Sequence, residues 1–280
     1  MSYKKIIKNY FALSYVHLVN ALIPLLTIPY ILSIINIESY GLVNHADAFC
    51  RILLTLTLFG FQLSITKEIS ENRKNLDKVS LIFSSTIICR LLLITIAFLI
   101  MYFSCIFFSS LNDNKYLIFL SFGIVIGDSL LPTWFYMGIE KMKYISFFTT
   151  LNKLIYLIFI YLFIKASDDY VYIPMIASFG SISIGFLALI FTFYKFKIKV
   201  NIKIKHIIYL YRTSYYFFIS RFSIITYTKL NILIVKSFFP DNILGYYSLA
   251  DKIVIRIVRK PFGILNQVFY PRLMLNLNIK

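Results

Sequence analysis

The chain has 280 residues, of which 59% are hydrophobic and only 15% are charged, and its formal net charge at pH 7 is +17. A soluble domain carries about 45–50% apolar residues, so the apolar excess indicates a surface that faces lipid and excludes an ordinary soluble fold. In a soluble protein this charge would suggest nucleic acid, but most of the basic residues lie in short polar connections, where they set membrane topology instead.

Eight apolar stretches are long enough to cross a bilayer as helices, because about 20 helical residues span roughly 30 Å of hydrocarbon. The predicted spans are 11–33, 42–64, 79–103, 116–138, 144–164, 171–193, 214–236 and 243–269. The first has no A-x-A-like cleavage site and is followed by further spans, so we expect it to be a retained helix and not a signal peptide. The sequence predicts an all-α fold, a polytopic membrane helix bundle with about eight transmembrane helices.

Lysine and arginine residues concentrate in alternate connections between the predicted spans. With the N-terminus in the cytoplasm, 17 such residues lie on the inner side, against two, Lys115 and Lys165, on the outer side. Short loops rich in Lys and Arg stay in the cytoplasm. Both ends of the chain are therefore predicted to be cytoplasmic.

An internal repeat with an offset of 204 residues relates the second and eighth spans. The second opens with GLVNHAD at 41–47 and the eighth with GYYSLAD at 245–251, so Gly, Ala and Asp recur in register. Parallel repeats of six spans are one way to build a transporter around a central cavity. The repeat predicts a six-helix N-terminal lobe, residues 1–205, and the first two helices of an incomplete second lobe, residues 206–280.

Basic side chains within the spans are the most informative feature of the sequence. A basic residue near the bilayer centre costs about 2.5–3.5 kcal/mol on insertion scales, so it is tolerated where it faces a watery cavity or an anionic ligand. The outermost ones, Lys236, Arg259 and Lys260, are able to snorkel to the headgroup layer. The central ones are predicted to line a cationic cavity that binds substrate: Arg51, Arg90, Lys153, Arg221, Lys229, Lys252 and Arg256.

Three aspartates within the spans, Asp47, Asp128 and Asp251, are the candidates for ion coupling. Asp47 stands four residues before Arg51, and neutralisation of the two charges on one helix face is slightly favoured over a role of Asp47 in ion coupling. Asp128 has no obvious basic partner on its own helix. It is therefore the more interesting candidate for a proton or cation site.

Signatures of catalysis and of metal binding are missing from the sequence. It has no Gly-rich phosphate loop, no G-x-S-x-G and no H-E-x-x-H, so we expect no enzyme, no cofactor and no transport driven by ATP bound to this chain. Cys50, Cys89 and Cys105 are predicted to be buried thiols, and no histidines have metal spacing. Gly123 and Gly127 form a G-x-x-x-G motif, which predicts a helix-packing face.

Several segments together resemble the polysaccharide-repeat flippases of the MOP exporter superfamily, of the O-antigen transporter (Wzx) type. The segments are LIPLLTIPY at 22–30, YGL at 40–42, LFGFQLSITKEIS at 58–70, WFYMGIEKMKY at 134–144, GYYSLADKI at 245–253 and YPRL at 270–273. Their order and spacing are similar to those of the family over nearly the whole chain.

The resemblance implies two six-helix lobes, alternating access, and a multi-pass protein of the bacterial inner membrane. It also implies a cargo, an undecaprenyl-pyrophosphate-linked oligosaccharide, and possible partners in a polysaccharide polymerase and a chain-length regulator, besides membrane lipids and without nucleic acid. The family has no agreed catalytic motif, so no site residue is carried over. Because the sequence ends where the third helix of the second lobe should begin, we expect a truncated product in preference to an oligomer that completes the lobe.

Three other functions are compatible with parts of the sequence. A MATE-like cation or drug antiporter usually has acidic residues in its cavity, whereas basic residues dominate in these spans. A membrane polymerase or glycosyltransferase would need a large polar external loop, and the outer loops are short. A non-transporting scaffold of a glycan assembly complex would fit the missing helices. The favoured prediction is a flippase whose cationic cavity attracts the pyrophosphate headgroup.

Overall fold

The computed structural model describes residues 3–254, and in its first helix the side chains of residues 15, 18–20 and 22 onward. Every regular element within this range is a helix. The elements are α1 (Tyr3–Ile34), α2 (Ile37–Leu58), α3 (Phe61–Asn72), α4 (Leu76–Phe107), α5 (Ser109–Asn112), α6 (Lys115–Leu130), α7 (Thr133–Gly138), α8 (Lys143–Phe163), a 3-10 turn (Ser167–Val171), α9 (Tyr172–Phe196), α10 (Ile204–Phe238) and α11 (Asp241–Ile253).

Six segments of the described chain are long and apolar enough to cross a membrane. They are Ile37–Asn72, Leu76–Phe107, Lys115–Gly138, Lys143–Phe163, Ser167–Phe196 and Ile204–Phe238. These segments correspond to predicted spans two to seven. The first predicted span, 11–33, overlaps the apolar part of α1, Leu18–Ile34, and the eighth begins in α11 and includes residues outside the described range. The prediction of an all-α, polytopic membrane bundle is confirmed.

Two predicted spans each contain a break between two helices. Phe59 and Gly60 both adopt left-handed backbone angles (φ 42° and 69°), which end α2 before α3 begins. A Cβ on Gly60 would lie 2.7 Å from the Phe217 Cβ, so glycine also permits the close approach of α10. In the fourth span, Pro132 forces Leu131 out of the helical region and separates α6 from α7.

The internal repeat is visible in the helix boundaries. The helices α1 and α10 end at residues 34 and 238, and α2 and α11 begin at residues 37 and 241, so both boundaries are displaced by the same 204 residues. The repeat-related Gly41 and Gly245 face each other, and a Cβ on Gly41 would lie 2.7 Å from the backbone nitrogen of Gly245. The two glycines therefore bring the backbones of α2 and α11 into contact. The division into lobes at residue 205 stays a prediction.

The helix α2 lies in the middle of the described bundle. It packs against α6 and α4 and also against α10 and α11, and α6 in turn packs on α9. The predicted G-x-x-x-G face is confirmed, because a Cβ on Gly123 or Gly127 would overlap Ser178 or the backbone of Ser181 on α9. This close pairing holds α6 against α9, while α6 also packs against α2. The packing on α2 brings Asp128 of α6 toward the charged residues of α2.

Other sequence expectations concern buried polar groups. The three cysteines are buried free thiols, as predicted. His45 is fully buried and its Nδ1 lies 3.2 Å from Asn114 Nδ2, which agrees with a packing role. The side chain of His17 lies outside the described ones.

The connection from α9 to α10 runs along α4. The backbone N–H of Lys199 donates to Ser80 Oγ (3.1 Å) and that of Asn201 donates to Ser84 Oγ (3.2 Å). Since Ser80 and Ser84 lie one helical turn apart, they hold an extended segment against α4. This contact positions the beginning of α10 on the bundle.

Candidate functional site

The first part of the site is an ion pair on α2. Arg51 Nε donates a hydrogen bond to Asp47 Oδ2 at 3.0 Å, one helical turn away, so the predicted pairing of these residues is confirmed. The Arg51 and Asp47 side chains are nevertheless 43% and 27% exposed. Because α2 has packed helices on several sides, exposure at this point indicates a cleft between helices.

The helices α10 and α11 bring further charges to this cleft. Lys229 Nζ on α10 lies 3.6 Å from Asp251 Oδ2 on α11, and both side chains are about one-fifth exposed. The neighbouring Lys252 places its Nζ 4.9 Å from the centroid of the Tyr40 ring on α2, a cation–π arrangement. Asp47 lies within electrostatic range of both lysines. The charges of three helices thus interact across the cleft.

The helices α6, α8 and α9 complete the arrangement around Asp128. The Asp128 carboxylate interacts electrostatically with Arg51 and Lys153 and lies beside the Ser181 hydroxyl. Asn152 Nδ2 donates to the same hydroxyl at 3.4 Å. Asp128 has no basic partner on its own helix, but it faces two from neighbouring helices, which the sequence could not show. Two nearby positive charges disfavour a bound cation at this carboxylate.

We call these residues the charged cleft. It comprises four basic and three acidic side chains: Arg51, Lys153, Lys229, Lys252, Asp47, Asp128 and Asp251. Its formal charge is therefore +1. Such a cleft offers ammonium and guanidinium donors to an anion. The carboxylates of the cleft already take up part of the hydrogen-bonding capacity of these donors. Within residues 3–254, His, Cys, Asp and Glu side chains form no group of three or more able to hold a metal ion.

Arg90, predicted to line the cavity, lies instead in the packed interior. Its side chain is only 1% exposed, and its Nη1 donates to the carbonyl oxygens of Ser129 (2.7 Å) and Leu131 (3.4 Å). The guanidinium also lies 5.7 Å from the centroid of the Trp134 ring. At the break between α6 and α7 the Thr133 N–H donates to the Leu131 carbonyl at 2.9 Å. It is therefore not available to the Ser129 carbonyl, to which Arg90 donates in its place. The position of Arg90 is therefore a correction to the sequence-based set.

The remaining basic residues of that set lie apart from the cleft or beyond the description. Arg221 is exposed and eight residues from Lys229, which places it about 12 Å away along α10. Lys236, expected to snorkel, forms an ion pair with Asp241 at 2.5 Å. Arg256 lies outside the described residues, as do Arg259 and Lys260.

Sequence reasoning missed the polar partners of the cleft. Tyr40 and Ser181 lie beside its charges, and Asn152 donates to Ser181. Tyrosines, asparagines and serines occur throughout these spans, and nothing in their spacing distinguishes these three. For Tyr40 alone the sequence offered a signal, because this residue belongs to the YGL segment at 40–42 that resembles the flippase family.

A bundle of apolar helices with seven charged side chains around an interior cleft defines a multi-pass membrane protein with a polar intramembrane site, and ionisable residues at such places are functional by default. The chain matches the family described as "Polysaccharide biosynthesis protein" over residues 6–275. It belongs to this family, and the resemblance to polysaccharide-repeat flippases is confirmed at that level.

Two curated relatives share the name "Putative O-antigen transporter". The protein of Shigella dysenteriae is 27% identical over 275 residues, which cover 95% of this chain and 67% of the relative. The protein of Escherichia coli (strain K12) is 24% identical over 270 residues, which cover 95% of this chain and 64% of the relative. The chain thus spans about two thirds of the length of these relatives. No solved structure gives a significant match.

Proposed function

We propose that the chain takes part in flipping an undecaprenyl-diphosphate-linked O-antigen or related polysaccharide repeat unit across the bacterial inner membrane. The observation that carries this proposal is the charged cleft, in which Arg51, Lys153, Lys229 and Lys252 converge from four helices. The family and the names of both relatives support a polysaccharide precursor as cargo. A polymerase and a chain-length regulator stay predicted partners.

The chemistry of the headgroup fits the basic residues of the cleft. A diphosphate that bridges a lipid and a sugar presents several anionic oxygens, which accept short, charge-assisted hydrogen bonds from Arg and Lys. These bonds are stronger in a cleft shielded from bulk water, because the local dielectric constant is lower. The four donors therefore suit a diphosphate better than they suit a neutral sugar or a cation.

The repeat supplies a way to change access to the cleft. In the proposed division, residues 1–205 contribute Asp47, Arg51, Asp128 and Lys153, whereas residues 206–280 contribute Lys229, Asp251 and Lys252. A movement of one lobe against the other would therefore open the cleft toward either membrane surface. With the N-terminus in the cytoplasm, the headgroup would enter from the cytoplasmic leaflet and leave into the periplasmic leaflet.

An antiporter of cationic drugs is the weaker alternative. Such a protein needs a carboxylate that a cation can approach, but Asp47, Asp128 and Asp251 each lie against at least one basic side chain. The charge of each aspartate is therefore partly neutralised by a basic residue of the cleft and is less available to a cationic drug. They fit the role of partners for the basic residues.

The proposal predicts a loss of export when Lys229 is replaced by Gln. The chain's own gene would be deleted in its native host and restored as wild type or Lys229→Gln, and surface polysaccharide would be measured. We expect the substitution to reduce export by roughly tenfold or more, because one charge-assisted contact contributes about 1.5–3 kcal/mol.

The matched control is Lys67→Gln, since Lys67 is exposed on α3 and far from the cleft. It removes the same charge and should export normally. Membrane levels of all variants would be compared on immunoblots. A wild-type chain that sits in the membrane without restoring export, or a fully active Lys229→Gln variant, would contradict the proposal.

A further inference from the structure

The aspartates of the charged cleft all engage the basic residues that the proposed function assigns to the headgroup. Asp47 accepts a hydrogen bond from Arg51 at 3.0 Å, and Asp251 lies 3.6 Å from Lys229. Asp128 interacts with Arg51 and with Lys153. The carboxylates therefore occupy places beside the basic groups that phosphate oxygens would also take.

These ion pairs are loosely held in comparison with the structural arginine of the same bundle. Arg90 is fully buried and bonded to backbone carbonyls that cannot leave, whereas Arg51 remains 43% exposed beside a side-chain carboxylate that can rotate away. Asp251 Oδ2 lies 3.6 Å from Lys229 Nζ, which is longer than a hydrogen bond, and it makes no hydrogen bond to any residue within the described range. An ion pair without a hydrogen bond holds its carboxylate less tightly than a hydrogen-bonded one.

Two of the three aspartates, Asp47 and Asp251, are related by the internal repeat. Asp47 and Asp251 are 204 residues apart and each lies six residues after the glycine through which α2 and α11 touch, Gly41 or Gly245. Six residues correspond to about 9 Å along a helix. Each proposed lobe thus carries one acid at an equal distance from the contact between the lobes.

We propose that Asp47, Asp128 and Asp251 are internal counter-ions that the headgroup displaces on binding and that displace the headgroup on release. The inference rests on the proposed function and adds the residues that determine release. A transported ligand must bind well enough to enter and weakly enough to leave. The charged cleft, with a formal charge of +1, is suited to both steps. Its basic side chains attract the diphosphate, and its carboxylates compete with the diphosphate for the same ammonium and guanidinium groups.

The test measures diphosphate binding and export together in the aspartate variants. Purified full-length chain in detergent would be titrated with farnesyl diphosphate, a soluble probe for the headgroup. We expect Asp47→Asn and Asp251→Asn each to bind it about fivefold more tightly, the scale of one partly exposed ion pair, while export in the native host falls. Tighter binding combined with slower export is not expected from a residue that merely supports the fold.

Two controls make the effect specific. Glu71→Gln removes one carboxylate from an exposed pair with Lys67 on α3 and should leave binding and export unchanged. Asp47→Glu keeps the charge and should return both measurements toward wild type. Thermal unfolding of each variant would show whether it is folded. If Asp47→Asn does not fold, Asp251→Asn alone tests the proposal.

Each outcome decides between the two proposals. If the wild-type chain binds farnesyl diphosphate and the Asp→Asn variants bind it equally or less well, the counter-ion proposal is wrong and the proposed function stands. Unchanged binding with lost export would likewise overturn it, since that pattern indicates ion coupling. If the wild-type chain binds farnesyl diphosphate no better than farnesol, both proposals fail.

Discussion

Replacing Arg90 with methionine is expected to lower the free energy of unfolding by about 3 kcal/mol. Methionine approximates the length of the buried stem but supplies no donor, so the carbonyl oxygens of Ser129 and Leu131 lose their charge-assisted hydrogen bonds. A buried acceptor left without a donor costs about 1–3 kcal/mol, and the lost contact with Trp134 adds to this. The break between α6 and α7 should become the least stable part of the bundle.

The measurement is reversible unfolding of the purified protein by SDS in mixed micelles. Arg212→Met is the matched control, because Arg212 is exposed on α10, and it should change the free energy by less than about 0.5 kcal/mol. A stable Arg90→Met variant that has lost affinity for farnesyl diphosphate would contradict this assignment. It would place Arg90 in the cleft after all.

Replacing Gly127 with valine is expected to prevent α6 from packing on α9. Even a Cβ at this position would overlap the carbonyl group of Ser181, and a Cβ on Gly185 would overlap the carbonyl of Gly127 from the opposite side. Backbone atoms on both helices leave no side chain that could move aside, so the helices must separate. We expect a loss of about 3 kcal/mol or more and little folded protein in the membrane.

The control for this substitution is Gly180→Ala on α9. An added Cβ there would meet chiefly the Asn152 side-chain oxygen at 2.8 Å, and a flexible amide is able to shift. We expect Gly180→Ala to accumulate nearly as wild type, as judged by fluorescence-detected size-exclusion chromatography of membrane extracts. A monodisperse, stable Gly127→Val variant would show that α6 and α9 are not in this contact.

Much of the fold follows from the sequence because hydrocarbon imposes simple demands on a chain. Continuous apolar stretches predict spanning helices, and G-x-x-x-G at Gly123 and Gly127 predicts a close helix pair, since only small residues let two backbones approach. The repeat was readable from Gly41 and Gly245 because both occupy a contact that excludes a Cβ. The break at Phe59 was not readable in the same way, because Phe59 adopts a left-handed conformation that no sequence pattern requires.

A charge within a span is conspicuous in the sequence, whereas the residues that contact it are not. Arg51, Lys153, Lys229 and Lys252 do converge, as the rule on intramembrane charges implied. Arg90 is also an intramembrane charge with polar partners, but its partners are backbone carbonyl oxygens at a helix break and not a ligand. The interleaving of Asp128 with bases from other helices depends on tertiary packing, and a single sequence does not contain that information.

The central claim, that the charged cleft recognises a diphosphate headgroup, is tested most directly by comparing two ligands that differ only in that group. Binding of farnesyl diphosphate and of farnesol to the purified chain would be measured in the same detergent at low and high salt. We predict that the diphosphate binds at least about tenfold more tightly, that Arg51→Gln and Lys229→Gln remove this difference, and that salt reduces it. Equal affinities for the two ligands, or a preference that survives both substitutions, would contradict the claim.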